Sequence, residues 1–184
     1  MPDETLMRNL REHVFADPEL SVFALLDGAS VDGLVKMLWE HQPEHVCLYR
    51  GELEPDMAEV APYLIRLEPD AEFTEWVLTR GWGNHWGIFA VTDAELRALR
   101  RHFRTFTMVR DPDGKLLYFR YYDPRVLRVY LPTCNEEEMA IVFGPVAHYL
   151  LEDEDPKFLL CFRQRAGEPE RARIPLVESA EDTP

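Results

Sequence analysis

Serine is almost absent from this chain: Ser21, Ser30 and Ser179 are its only three. None stands in a G-x-S-x-G elbow, so a hydrolase nucleophile lacks its usual setting. Cysteine is equally sparse. Cys47, Cys134 and Cys161 are widely spaced, odd in number and free of any C-x-x-C pattern. That excludes a disulfide framework and a cysteine zinc site. It leaves small buried hydrophobes in a reducing compartment. Positive charge is in deficit, with 20 Lys and Arg against 34 Asp and Glu and a formal charge of −14. Such a field repels nucleic acid and anionic membrane, so neither is an expected partner. It suits solvation and basic protein surfaces. No apolar run approaches the ~20 residues of a membrane helix. The opening Met1-Pro2-Asp3-Glu4 carries no basic and apolar leader pattern, so the expected address is the cytoplasm. Gly81-Trp82-Gly83 precedes no phosphate-binding helix and no P-loop lysine is present, so no nucleotide cofactor is expected.

The 184 residues, 46% of them apolar, suit one domain with a core that needs no metal or disulfide. Leu6, Leu10 and Val14 recur at helical spacing before Pro18. The continuous apolar run 21–26 reads as a buried strand, broken by Asp27-Gly28-Ala29. Ser30 is a candidate cap for the next helix, with Val31, Leu34, Val35 and Leu38 on one face. Further strands are expected at 45–50, 63–67 and 86–91, with a loop carrying Gly51 and Pro55 and a helix over 71–79. Thr92 and Glu95 suggest a capping box, as do Thr133 and Glu136. The runs 105–110 and 115–122 flank Asp111-Pro112-Asp113-Gly114 and read as a hairpin. Asp123 caps a helix whose first position is Pro124, where proline costs nothing. Apolar runs at 146–151 and 158–162 are edge strands or a strand pair. From Arg163 onward Arg alternates with Gly, Pro and acids, which reads as a polar, disordered tail. The expected architecture is α+β: a mixed sheet with helices packed on it, over residues 1–162, followed by a tail over 163–184.

Candidate chemistry is thin. His41 and His45 are four apart, but Pro43 lies between them, so a helical metal clamp is broken. Asp111-Pro112-Asp113-Gly114 resembles part of a calcium loop but lacks the distal bidentate Glu, and a turn explains it better. Glu136-Glu137-Glu138 sits where a helix dipole favours acids. Arg97, Arg100, Arg101, His102 and Arg104 crowd one helix end, either as a basic patch for a partner or as complements to the helix C-terminus. The most unusual stretch is Phe119-Arg120-Tyr121-Tyr122-Asp123-Pro124-Arg125-Val126. A half-buried Arg120 among large apolar residues needs a carboxylate, and Asp27 and Asp123 are the candidates. An Arg–Asp brace at a strand-to-helix corner fits better than catalysis.

Leu25-Leu26-Asp27-Gly28-Ala29, a Trp-containing helix ending at Gly81, Asp113-Gly114, the 119–126 stretch and Phe143-Gly144-Pro145 together resemble the adaptor, or effector-chaperone, family of bacterial type VI secretion systems. The resemblance spans roughly residues 20–162, and Arg120-Tyr121-Tyr122-Asp123-Pro124-Arg125-Val126 is its most specific part. It implies a protein that is not an enzyme and uses no cofactor or small-molecule substrate. Members hold a toxic effector protein in the cytoplasm and help place it on the VgrG-type spike protein. Many add a helical C-terminal lobe, whereas here only the polar tail is expected after residue 162. The resemblance marks Asp27, Gly28, Arg120, Tyr122, Asp123, Pro124, Arg125, Gly144 and Pro145 as family-motif positions with a bracing role. Aromatic residues dominate binding hot spots, so Trp39, Trp76, Trp82 and Trp86 are candidate anchors. Trp82 and Trp86, in a glycine-rich loop, are the favoured contacts, with Arg100, Arg101 and Arg104 beside them. An immunity protein that neutralises a basic toxin by binding it is the alternative. A small enzyme would require Asp27, Arg120 and Asp123 to face an open cleft.

Overall fold

The computed structural model describes residues 3–110, 113–165 and 168–177. Helix α1 (Glu4–Val14) starts on Asp3, whose side chain accepts from the Thr5 amide, and turns Leu10 and Val14 inward. It leads into β1 (Ser21–Asp27), buried along almost its whole length because both faces are covered. The chain continues through α2 (Leu34–His41), β2 (His45–Cys47), α3 (Pro55–Val60), β3 (Pro62–Leu67) and α4 (Glu72–Trp76), which widens into a π turn at Val77–Gly81. Then come β4 (Gly87–Thr92), α5 (Leu96–Phe103), the ribbon β5 (Met108–Arg110) and β6 (Leu116–Tyr118), α6 (Pro124–Tyr130) and α7 (Glu136–Phe143). Strands β7 (His148–Glu152), β8 (Phe158–Arg165) and β9 (Glu168–Pro175) complete the described chain.

Seven strands form one sheet in the order β2-β3-β1-β4-β7-β8-β9, and β5–β6 stand apart as a two-stranded ribbon. Strand periodicity sorts the core onto two faces. Phe23, Leu25, Leu64, Ile88, Tyr149, Leu151, Leu160 and Phe162 point to one side, where Leu99, Phe103, Leu127, Met139 and Phe143 from α5, α6 and α7 meet them. Val22, Ala24, Leu26, Ile65, Phe89, Leu150 and Cys161 point to the other, under α1, α2 and α4. The α+β class is as expected, but every strand pairing described is antiparallel, so the sheet is not mixed. The reason is topological. The chain runs out to β2 parallel to β1, and β3 then returns between them, antiparallel to both.

Several local expectations move. Ser30 does not cap α2, which follows Gly33 in a left-handed conformation; its hydroxyl donates to Asp27 instead. Thr92 makes no capping box with Glu95. Its hydroxyl accepts from Ala94 N and donates to the Pro145 carbonyl at 2.6 Å. The capping box before α7 is Asn135 with Glu138, two residues later than expected. A short helix, α3, occupies the loop after Gly51. Of the hairpin turn, Asp111 and Pro112 lie outside the described residues.

The tail expected from Arg163 is corrected most. Strand β8 runs on through Arg165, β9 pairs with it along its whole length, and Leu176 is fully buried. Arg171-Ala172-Arg173-Ile174 is the alternation of an outer strand, with Ile174 packed on the core. Its prolines suggest a linker but sit where an edge strand tolerates them. The Leu176 amide donates to Lys157, which fixes the hydrogen-bonding parity and leaves Pro169 and Pro175 at outward-facing positions. Residues 178–184 lie outside the described residues.

Candidate functional site

One end of the sheet gathers the C-terminal ends of β1, β2 and β7 and the N-terminal ends of β3, β4 and β8. The buried acids Asp27, Asp123, Glu152 and Asp153 all lie at or beside it. Each meets a cation or a set of amides, as buried charge requires.

Asp27 ends β1. Its carboxylate accepts from Ala29 N at 3.2 Å, from Ser30 Oγ at 3.0 Å and from the Arg120 guanidinium. Gly28 follows because the chain passes directly over the loop before β3. Its amide donates to Ala61 O at 3.1 Å, and a Cβ there would lie 2.5 Å from the carbonyl oxygens of Ala61 and Glu59. Arg120 lies just past β6, outside any strand, with its side chain 46% exposed. Burial pulls its pKa down, but the hydrogen bond and charge of Asp27 outweigh that and hold it above the ordinary value.

Asp123 caps α6 by accepting from Arg125 N at 2.9 Å. It also takes a two-pronged grip from the same residue, at 3.0 Å from Nε and 2.7 Å from Nη2. Burial raises its pKa, and the Arg125 bonds and the charges of Arg125 and Arg120 outweigh that and hold it below the usual carboxylate value. Arg120 Nη2 stands 4.0 Å from Asp123, so the two acids share one network. Pro124 occupies the first helical position and is buried. Tyr121 and Tyr122 are buried, and burial pushes both phenols well above the ordinary value. Tyr121 donates to Phe103 O at 3.0 Å, and the Tyr122 hydroxyl shares a hydrogen bond with that of Tyr49. The 119–126 stretch is thus a clasp between the β1 end and α6. Gly144 and Pro145 lie elsewhere, after α7. Gly144 has φ +45° with the His102 ring directly above it, and Pro145 receives the Thr92 hydroxyl.

A second cluster was not foreseen. The buried Glu152 carboxylate accepts from Gly83 N at 2.6 Å, from His85 N at 3.1 Å and pairs with His85 Nδ1. It ties down the loop that carries Trp82 and Trp86. Trp82 is half-buried and donates through Nε1 to Pro156 O at 2.6 Å; Trp86 packs on Trp76 with ring centroids 4.7 Å apart. Neither is a free anchor. Asp153 pairs with Arg173, whose guanidinium lies 3.3 Å over the Phe158 ring. Arg128 is 13% exposed; its Nε and Nη1 are buried without hydrogen-bond partners among the described residues, and its Nη2 lies 3.8 Å from Glu154. These hydrogen-bond partners were invisible in sequence because they lie 20 to 74 positions away along the chain.

Arg100 and Arg101 are exposed on α5, but Arg104 turns inward and donates to the carbonyls of Cys47, Leu48 and Tyr49. It pins the chain after β2. Burial raises the thiols of Cys47 and Cys134, which makes poor nucleophiles of them. Among the described residues, no three His, Cys, Asp or Glu side chains converge as a metal site requires. No helix among them is long and apolar enough to cross a membrane.

Exposed apolar side chains concentrate elsewhere. Trp39 on α2 is 77% exposed, and α3, which buries none of its residues, shows Met57 and Val60. The β5–β6 ribbon adds Met108, Leu116, Leu117 and Tyr118.

These features define an α+β protein whose motif charges neutralise one another. Over residues 22–140 the sequence matches the family described as Domain of unknown function (DUF4123), and the chain belongs to that family. The match runs from β1 into α7 and takes in both halves of the Asp27–Arg120 clasp. Neither the curated proteins nor the solved structures contain a match.

Proposed function

We propose that this chain is an adaptor that holds a type VI secretion effector and helps load it onto the VgrG-type spike protein. The observation that carries the protein-binding reading is the direction of the charges. Asp27, Arg120, Asp123 and Arg125 are satisfied by each other and by backbone amides, so the motif is spent on shape. Large apolar side chains at Trp39, Met57, Val60 and the β5–β6 ribbon are left to solvent, as a recognition scaffold needs. The resemblance of the 119–126 stretch and of Leu26-Asp27-Gly28-Ala29 to type VI adaptors supports the choice of partner. Co-purification tests it: the tagged chain should retain the effector or the spike encoded beside it, with neither nucleotide nor metal added. Recovery of neither sinks the proposal.

The charge of −14 favours a second reading, an immunity protein for a basic toxin. Toxin activity separates the two. An adaptor leaves the bound toxin active, whereas an immunity protein abolishes its activity.

A further inference from the structure

The sheet has two outer edges, and the molecule treats them differently. At β9, Pro169 and Pro175 stand at outward positions and offer no N–H. That is how proteins deny an edge to other chains. At β2 no such block exists. Leu48 N donates to Pro62 O and Glu44 O accepts from Arg66 N, so the backbone of Glu44, Val46 and Leu48 faces β3. The parity of an antiparallel ladder then points the amide and carbonyl of His45 and the amide of Cys47 away from the sheet. Among the described residues nothing meets those three groups; the next carbonyl, Cys47 O, is taken by Arg104.

Beside this edge lies a groove of about 570 Å³ lined by Val35, Leu38, Trp39, Pro43, His45 and Tyr63. A side chain on a strand added outside β2, on the face shared with His45 and Tyr63, falls into it. Trp39 forms its wall and, at 77% exposed, is a large apolar side chain that no other described residue covers. A second groove, of about 740 Å³, runs on the far side of Trp39 past Val60. The grooves are lined by acids, Glu44 in the first and Asp32 and Glu59 in the second, all exposed; Glu44 stands 3.6 Å from Arg66, and Lys36, which lines the second groove, is paired with Glu40 at 3.7 Å.

We propose that the β2 edge and the Trp39 groove take an extended apolar segment of a partner protein, flanked by Lys or Arg, as an added strand. Backbone pairing with His45 and Cys47 sets its direction, Trp39 grips alternate side chains, and the acidic lining selects basic flanks. This deepens the protein-binding reading above and rests on it.

The test uses the full chain and a labelled peptide of alternating Val and Thr between two Lys pairs. A matched peptide with Glu flanks and one with N-methylated backbone are the comparisons. Saturable binding of the Lys-flanked peptide is expected, followed by fluorescence polarisation. It should weaken roughly tenfold or more with Trp39→Ala, as for an aromatic hot spot. It should weaken likewise with Glu flanks and vanish on N-methylation. Bound peptide should slow hydrogen exchange at the His45 and Cys47 amides. Trp39→Ala should melt like wild type, since the side chain is exposed. No saturable binding, or binding indifferent to Trp39→Ala and N-methylation, overturns the proposal. A concentration-dependent dimer abolished by Trp39→Ala puts a second copy of the chain on this edge and also overturns it. An effector that binds with Trp39→Ala at full strength sinks this surface and leaves the adaptor reading standing. A peptide that docks here while effector and spike are ignored does the reverse.

Discussion

Replacing Arg120 by methionine keeps the aliphatic bulk of the side chain and deletes its guanidinium. Asp27, almost wholly buried, then retains Ser30 Oγ and Ala29 N but loses the positive charge facing it. Breaking a fully buried pair costs ~3–5 kcal/mol. Arg120 is 46% exposed, so water screens this pair and the figure must be discounted. A charged hydrogen bond removed from a partner that keeps two others is worth ~1.5–3 kcal/mol. The expected loss is therefore about 2 kcal/mol, or about 4–8 °C in melting temperature for a chain of this length. Urea unfolding followed by far-ultraviolet circular dichroism measures it. The double variant with Asp27→Asn should cost about 1 kcal/mol less than the sum of the singles, because both remove one interaction. A loss below about 0.5 kcal/mol for Arg120→Met, or strict additivity, would refute the brace.

Gly28→Ala should cost about 2 kcal/mol, because the new Cβ lies 2.5 Å from two backbone oxygens that cannot turn aside. Gly51→Ala, at φ +85° with open space around it, should cost only about 1 kcal/mol. Thermal melts compare the two. Glu152→Gln should cost about 2 kcal/mol and red-shift tryptophan fluorescence, since an amide cannot accept from both Gly83 and His85 as the carboxylate does. Burial lowers the pKa of His102 and of His148 below 6.5. Between the folded and unfolded values the unfolded chain binds more protons, so stability present above about pH 6.5 declines as pH falls. His102→Gln, which can still donate to Val142 O, should flatten that decline in denaturation curves taken from pH 7.5 to 5.

What sequence could show was local. The run 21–26 has only one sensible conformation, and Asp123-Pro124 carries its helix start in two residues. The Arg120–Asp27 pairing was legible because a cation amid Phe119, Tyr121 and Tyr122 demands a carboxylate and few were placed to serve. Three things were hidden. The seat of Glu152 is made by backbone amides of Gly83 and His85, and amides leave no mark in a sequence. The seating of Trp82 depends on a carbonyl 74 positions away, whereas Trp39 is exposed because it lies off the Leu34–Leu38 stripe that α2 turns inward. The strand at 168–175 was masked by its prolines and arginines, which are what an outer strand carries when its edge must stay unpaired.

Isothermal titration of the purified chain with the purified effector, in buffer containing a chelator and no nucleotide, tests the central claim most directly. A saturable, stoichiometric complex that leaves both proteins chemically unchanged is the result this account predicts. No heat of association with either effector or spike, or heat from steady turnover of a small molecule at the Asp27–Arg120–Asp123 cluster, would contradict it.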